Sequence, residues 1–180
     1  MSTKHWVAET VKCLEECLRP VPHEVNELDW KVALSEKKDR LSEHLMAFAN
    51  ARNGGALVFG IGNDGGPAGV ETKAIDGICN TLANLGRDTI EPPLALDHAV
   101  VDYHGIAILL VHIPGQRVKP VHRRGKSVEE TWVRSGGTTR KASRQEVGSL
   151  MLDSTSPRWE ELRASDLLQL EDVHRLLDLD

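Results

Sequence analysis

Residues 55–62 read GALVFGIG, an uncharged run preceded by Asn53-Gly54 and followed by Asn63-Asp64-Gly65-Gly66. A short apolar run closed at both ends by turn chemistry is predicted to be a β-strand, since Asn, Asp and Gly accept the positive φ that tight turns need. The stretch before it, Asp39 to Arg52, is predicted to be a helix. Leu41, Leu45, Phe48 and Ala49 fall at i, i+4, i+7 and i+8, a stripe for burial, and the glycines then stop it.

The remaining elements follow the same logic. Thr3 to Leu18 is predicted to be a helix with Trp6, Val7, Val11, Leu14 and Leu18 on one face, ended by Pro20 and Pro22. LDWKVAL, from Leu28, reads as a short strand, and Gly69-Val70 as a brief one. Thr72 to Arg87 reads as a third helix, with Ile75, Ile78, Cys79, Leu82 and Leu85 inward. Strands near Leu94–Tyr103 and Ile106–Ile113 flank a hairpin turn at His104-Gly105. A basic loop with Pro114, Pro120 and Gly125 leads to a strand at Glu130–Arg134. Ser143 and Glu146 form the capping box of a further helix. After a linker at Ser154–Pro157, Ser165 to Leu177 reads as an acidic amphipathic helix. The expected organisation is an N-terminal helix over 1–20, one domain over 21–153, and a linker with the acidic helix over 154–180. The fold class is α+β: a mixed, mostly antiparallel sheet with flanking helices.

No apolar run approaches the length of a membrane span; Ile106–Ile113 is the longest candidate and His112 interrupts it. The opening residues lack the apolar stretch of a signal peptide, and a cytoplasmic protein without a membrane partner is expected. Cys13, Cys17 and Cys79 are an odd set without zinc spacing, so structural thiols are expected. The net charge is -5, but its distribution is uneven. Arg117 to Arg144 holds nine Lys and Arg against Glu129 and Glu130, whereas Ser149 to Asp180 holds eight acids against three arginines. Such asymmetry points to an anionic partner for the basic stretch, or to a solvated basic loop.

Four ordered blocks carry a resemblance. Glu24-Val25-Asn26-Glu27-Leu28-Asp29-Trp30-Lys31 is similar to E-S-x-x-L-E-F-K, with Asp for the second Glu and Trp for Phe. Ala47-Phe48-Ala49-Asn50, running on to Gly54-Gly55, is similar to A-F-A-N-x-x-G-G with one residue inserted. Leu57 to Gly65 matches a strand and turn ending in an acidic residue. Trp132 to Thr139 matches an aromatic-x-Arg-x-Gly-Ser/Gly-x-Thr block. In that order they resemble the Schlafen Alba-like family over roughly residues 20 to 152. Some Schlafen proteins cut transfer and ribosomal RNA with three carboxylates and a divalent metal. The resemblance therefore implies Glu24, Asp29 and Asp64 as catalytic ligands of Mg²⁺ or Mn²⁺, hard ions suited to carboxylate oxygen. Asp29 in place of Glu shortens that arm by one methylene.

Lys31 and Arg134 are then candidates for gripping phosphates, and Arg117, Lys119, Arg123, Arg124, Lys126, Arg140 and Lys141 for tracking the backbone. Trp132 shares a strand face with Arg134. If Val133 points to the core, Trp132 is free to stack on a base; if the sheet is covered on both sides, Trp132 is core. Each acid also has a plainer reading: Glu24 as surface charge, Asp64 as a turn former. GIGNDGG lacks the G-K-[ST] of a phosphate-cradling P-loop, and the eight histidines make no metal-spacing pair. The expected function is binding of RNA, with DNA as an option, and metal-dependent endoribonuclease action on transfer RNA or other structured RNA. The alternatives are a non-catalytic DNA- or RNA-binding regulatory module, and an oligomerisation or protein-interaction domain using the apolar helix faces (Trp6, Leu14, Leu18; Leu167, Leu170, Leu176, Leu177). A homo-oligomer, or fusion to a partner domain, is expected.

Overall fold

In the computed structural model, which describes residues 4–155, the run at Gly55–Phe59 forms a strand covered on both faces. Leu57 and Phe59 point into one apolar cluster, Ala56 and Val58 into another. That two-sided burial is why the run is uninterrupted rather than alternating. The elements in chain order are α1 (His5–Leu18), β1 (Leu28–Lys31), α2 (Lys38–Asn50), β2 (Gly55–Phe59), α3 (Thr72–Asp88), β3 (Ile90–Glu91), β4 (Asp97–Tyr103), β5 (Ile106–Ile113), β6 (His122–Arg123), β7 (Trp132–Ser135), β8 (Thr138–Lys141) and α4 (Arg144–Thr155).

The main sheet has the order β1-β2-β5-β4. β1 and β2 run parallel, joined through α2, while β2–β5 and β4–β5 are antiparallel. α2 and α3 cover one face around Phe48, Leu45, Leu82 and Leu109. α1 covers the other through Val7, Leu14 and Cys17 against Trp30, Val58 and Ile108. β3–β6 and β7–β8 are separate two-stranded ribbons. The expected α+β class, with a mixed, mostly antiparallel sheet and flanking helices, is the architecture found.

Several boundaries differ from the sequence reading. α2 ends at Asn50 rather than Arg52, because Ala51 turns to extended backbone (φ -66°, ψ 153°), and the Asn50 side chain is held by tertiary bonds. Its amide donates to Val121 O (2.8 Å) and Trp132 O (3.0 Å), and its carbonyl accepts from Val121 N (2.7 Å). Gly54, at φ 74°, sits where a Cβ would strike the Ile113 carbonyl oxygen, so only glycine lets the chain turn from α2 into β2 here. β1 stops at Lys31, and β8 forms where the sequence pattern predicts no strand. Ser143 and Glu146 do make the capping box: Ser143 N donates to Glu146 Oε2 at 2.8 Å, and Glu146 N to Ser143 Oγ at 3.3 Å. α4 continues through Ser154 and Thr155, the first two residues of the expected linker, and the rest of that linker lies outside the described residues. The helix predicted at Ser165–Leu177 lies outside the described residues.

Candidate nucleic-acid interface

β1 alternates its side chains across the sheet. Leu28 and Trp30 face α1, and Asp29 and Lys31 face the opposite way, toward the start of α2. Asp29 is fully buried there, which a carboxylate tolerates only among countercharges. Lys31 Nζ donates to its Oδ1 at 2.7 Å, and Arg134 Nη1 lies 3.8 Å from Oδ2. His44 Nδ1, from α2, lies 3.1 Å from Asp29 Oδ2 and also 3.1 Å from Thr139 Oγ1. The hydrogen bond runs to Thr139, and Asp29 Oδ2 is left without a donor.

Arg134, on β7, organises the surroundings. Its guanidinium is 1% exposed. Nη2 donates to Val25 O (2.9 Å), Leu28 O (3.2 Å) and Gly137 O (2.6 Å), and Nη1 to Thr139 Oγ1 (3.3 Å), while Cζ lies 4.6 Å from the Phe48 ring centre. Gly137 closes the β7–β8 turn at φ 76°, and a Cβ there would come within 2.5 Å of Glu24 O, so this glycine lets the turn lie against the Glu24 segment. Glu24 sits 3.7 Å from Arg134. Burial chiefly, and then the charge of Asp29, raises its carboxyl above the ordinary carboxylate range, with Lys31 and Arg134 opposing. Burial lowers His44 to about 4 despite Asp29, so the ring is neutral near pH 7.

Above this cluster opens a cleft of about 310 Å³, framed by β1, the first turns of α2 and the β7–β8 turn. Its rim carries two part-exposed cations, Lys31 (33% exposed) and Arg40 (43%), together with Glu24 (41%) and the Ser35 and Thr138 hydroxyls. Arg40 donates to Glu43 at 3.1 Å and to Thr139 O at 3.4 Å. Sequence reasoning missed Arg40, His44 and Thr139. One signal was present: His44 falls three residues after Leu41 and four before Phe48, inside the buried stripe of α2.

The three acids are not assembled as the resemblance implied. Glu24 and Asp29 meet, but Asp64 lies in the exposed turn after β2, where its Oδ1 accepts from Gly66 N at 3.0 Å. Among the described residues no group of three His, Cys, Asp or Glu is placed to hold a metal. The donor set does not fit a resident Mg²⁺ or Mn²⁺. The Lys31 ammonium occupies Asp29 Oδ1, and a second cation, Arg134, faces Oδ2, so a dication would sit among like charges.

The basic stretch also departs from expectation. Trp132 is partly buried, packed against the larger core with its Nε1 shielded, because the face it shares with Arg134 is turned onto α2 rather than left open as a stacking platform would be. Arg134 is buried for the same reason. Lys119 is buried and donates to Asp153 of α4 at 2.9 Å. The charged ends of Arg134 and Lys119 are thus turned into the protein. Arg123 pairs with Asp39 (2.6 Å), Arg124 with Glu91 (3.1 Å), Arg140 with Glu146 (2.6 Å) and Lys141 with Glu130 (2.6 Å). Such surface pairs are weak and exchange readily. Arg117 and Lys126 are exposed. Among the described residues no helix is long and apolar enough to cross a membrane.

A family model described as Schlafen, AlbA_2 matches residues 24–143. No curated protein matches the chain. Several solved structures are similar to this chain. The DIP2311 protein from Corynebacterium diphtheriae is 17% identical with a TM-score of 0.55, covering 91% of this chain and 33% of that one. This chain thus spans about a third of that protein. The N-terminal domain of a RecG-related protein from Nitrosomonas europaea, named for an ATP-dependent DNA helicase, is 20% identical with a TM-score of 0.50, covering 86% of this chain and 95% of that one. At these identities the likeness is one of fold.

Proposed function

Because this chain belongs to the Schlafen AlbA_2 family, we propose that it is a nucleic-acid-binding domain that seats a backbone phosphate in the cleft between β1, α2 and the β7–β8 turn. The observation that carries this reading is the pairing of Lys31 and Arg40, both part-exposed, across a cleft whose remaining polar rim is hydroxyl and one carboxyl. Two cations and two hydroxyl donors on one rim match the charge of a phosphate and its acceptor oxygens. Glu24 is the one rim group that opposes an anion, and its raised pKa makes its charge the easiest in the cleft to lose. Half-buried Arg123 and exposed Arg124, Arg140 and Lys141 would exchange their acidic partners for neighbouring phosphates. The helicase-related name of one structural neighbour is consistent with a nucleic-acid ligand.

The test is fluorescence anisotropy with labelled single-stranded RNA, transfer RNA and duplex DNA over a salt series. Affinity is expected to fall as salt rises, with a slope reduced by about 1 in Arg40→Ala if it holds one phosphate. Binding should also tighten as pH falls and Glu24 takes up its proton, a trend that Glu24→Gln abolishes. Absence of salt-dependent binding to all three ligands sinks the reading. The same samples, run on denaturing gels with Mn²⁺ or EDTA, address the finer possibility of endoribonuclease action on transfer RNA. Binding without metal-dependent cutting is the expected outcome. Cutting that needs Mn²⁺ and is lost in Glu24→Ala and Asp64→Ala would make the domain a nuclease instead.

A further inference from the structure

We propose that the outer edge of β4 pairs with the same edge of a second copy of this chain, antiparallel about Val100, joining the two main sheets into one. β4 ends the strand order, and among the described residues no strand covers its outer side. Which residues face outward follows from the hairpin. His104 (φ 54°) and Gly105 (φ 82°) make a two-residue turn closed by the Tyr103–Ile106 pair. A closing pair of this kind exchanges both backbone bonds, and such pairs then alternate along the ladder. Val101, Ala99 and Asp97 therefore bond to β5, and His98, Val100 and Asp102 direct their N–H and C=O groups outward. The His98 N–H bears this out: it donates to the Asp97 carboxylate at 2.8 Å instead of to β5.

The same three residues expose their side chains, Val100 by 47%. A bare edge with an exposed valine invites pairing unless charge blocks it. Here the charge selects a partner. His98 lies two residues before Val100, and Asp102 two after it. Antiparallel pairing about Val100 sets valine on valine and places His98 against Asp102 at both ends. Sliding the register by one hydrogen-bonded step puts Val100 opposite a polar side chain, and by two steps puts Asp102 on Asp102 or His98 on His98. Only one register satisfies every pair. The imidazole need not be charged, since a neutral ring N–H donates to a carboxylate. The outward groups of His98 are held locally, its N–H by Asp97 and its C=O by the exposed Lys4 at 3.5 Å. The bonds of Val100 and the two side-chain pairs must then carry most of the contact. An interface of one strand per copy is smaller than that of a stable dimer, so association is weak.

The test is sedimentation velocity of the full chain, over a series reaching about 1 mM, the range in which a weak contact shows. Wild type is expected to dimerise. His98→Asp sets carboxylate against carboxylate twice, and Asp102→Lys takes the acceptor away from both His98 rings; each should weaken self-association roughly tenfold. Mixed in equal amounts, the two variants should pair with each other, because the introduced carboxylate meets the introduced ammonium and the remaining Asp102 meets the remaining His98. Val100→Pro removes the central outward N–H without touching a bond to β5, and should abolish the dimer. Asp102 also accepts from Gly105 N at 2.9 Å, so thermal melts confirm that Asp102→Lys is folded. A monomer at every concentration overturns the proposal. So does a dimer indifferent to Val100→Pro and His98→Asp, or a mixture of folded variants that fails to associate.

Discussion

Replacing Arg134 by methionine separates a structural guanidinium from a ligand-gripping one. The side chain is 1% exposed and serves three backbone carbonyls, those of Val25, Leu28 and Gly137, while standing 3.7 Å from Glu24 and 3.8 Å from Asp29. Methionine keeps the packing on Phe48 but leaves those carbonyls without their donor and the buried Asp29 one cation poorer. Removing one partner of a buried pair costs about 3–5 kcal/mol, and each stranded polar group about 1–3 kcal/mol. These overlap rather than add, and Lys31 stays on Asp29, so a loss of about 3 kcal/mol is expected. Urea unfolding followed by circular dichroism reads it as a lowered midpoint at unchanged slope. Removing both charges, in Arg134→Met with Asp29→Leu, should cost less than the sum of the single changes by about 1–3 kcal/mol, because the buried Asp29 carboxylate is then no longer left short of its cation. Among folded molecules the salt slope of nucleic-acid binding should match wild type. A loss below about 1 kcal/mol, strict additivity, or a reduced salt slope would refute the role of Arg134 as a buried staple.

Three further outcomes follow from the same geometry. His44 has its pKa lowered to about 4 in the fold against an ordinary 6.5, so the unfolded chain binds more protons between those values. Its contribution is complete above pH 6.5 and is lost as pH falls toward 4, to the extent of about 3 kcal/mol; Glu24, shifted upward, works in the opposite sense, so the difference between wild type and His44→Gln in urea midpoints across pH isolates the histidine. Asp153→Ala strands the buried Lys119 ammonium and should cost about 2 kcal/mol, less than a fully buried pair because Asp153 is 53% exposed, whereas Lys119→Met should be milder; equal losses in thermal melts would contradict this. Gly137→Ala must hold φ 76° and place a Cβ 2.5 Å from Glu24 O, so it should cost about 1–3 kcal/mol and weaken binding at the cleft, while Gly136→Ala, with open space around its Cβ, should cost less.

What the sequence makes legible is what local pattern encodes. The stripe of α2, the run of β2, the His104-Gly105 hairpin and the Ser143–Glu146 box are signals contained within a few neighbouring residues, and each stands where the pattern predicts it. β8 escapes because Thr138–Lys141 has no apolar alternation; pairing across Gly136-Gly137 alone makes it a strand. Trp132 is readable only as a conditional, since its burial depends on whether the β7 ribbon lies on α2, a contact between positions more than eighty residues apart. The basic stretch misleads for the same reason. Much of its apparent freedom is taken up once Asp39, Glu91, Glu130, Glu146 and Asp153 are brought beside it. Counting charges along a chain does not show which ones fold against each other.

The acidic motif illustrates this at shorter range. Asp29 and Lys31 are two residues apart on a strand, so the pleat sets them on one face, where the 2.7 Å bond between them forms. What the spacing could not tell is that α2 and β7 would seal this pair and add His44 and Arg134. The seal divides the site into two layers with different work. Asp29, His44 and Arg134 are buried, and substitutions there change how well the chain folds. Glu24, Lys31 and Arg40 stand at the rim, where a ligand would meet them. Lost binding in an Asp29 variant therefore says little about contact with nucleic acid, whereas a changed salt slope in an Arg40 variant that melts like wild type bears on it directly.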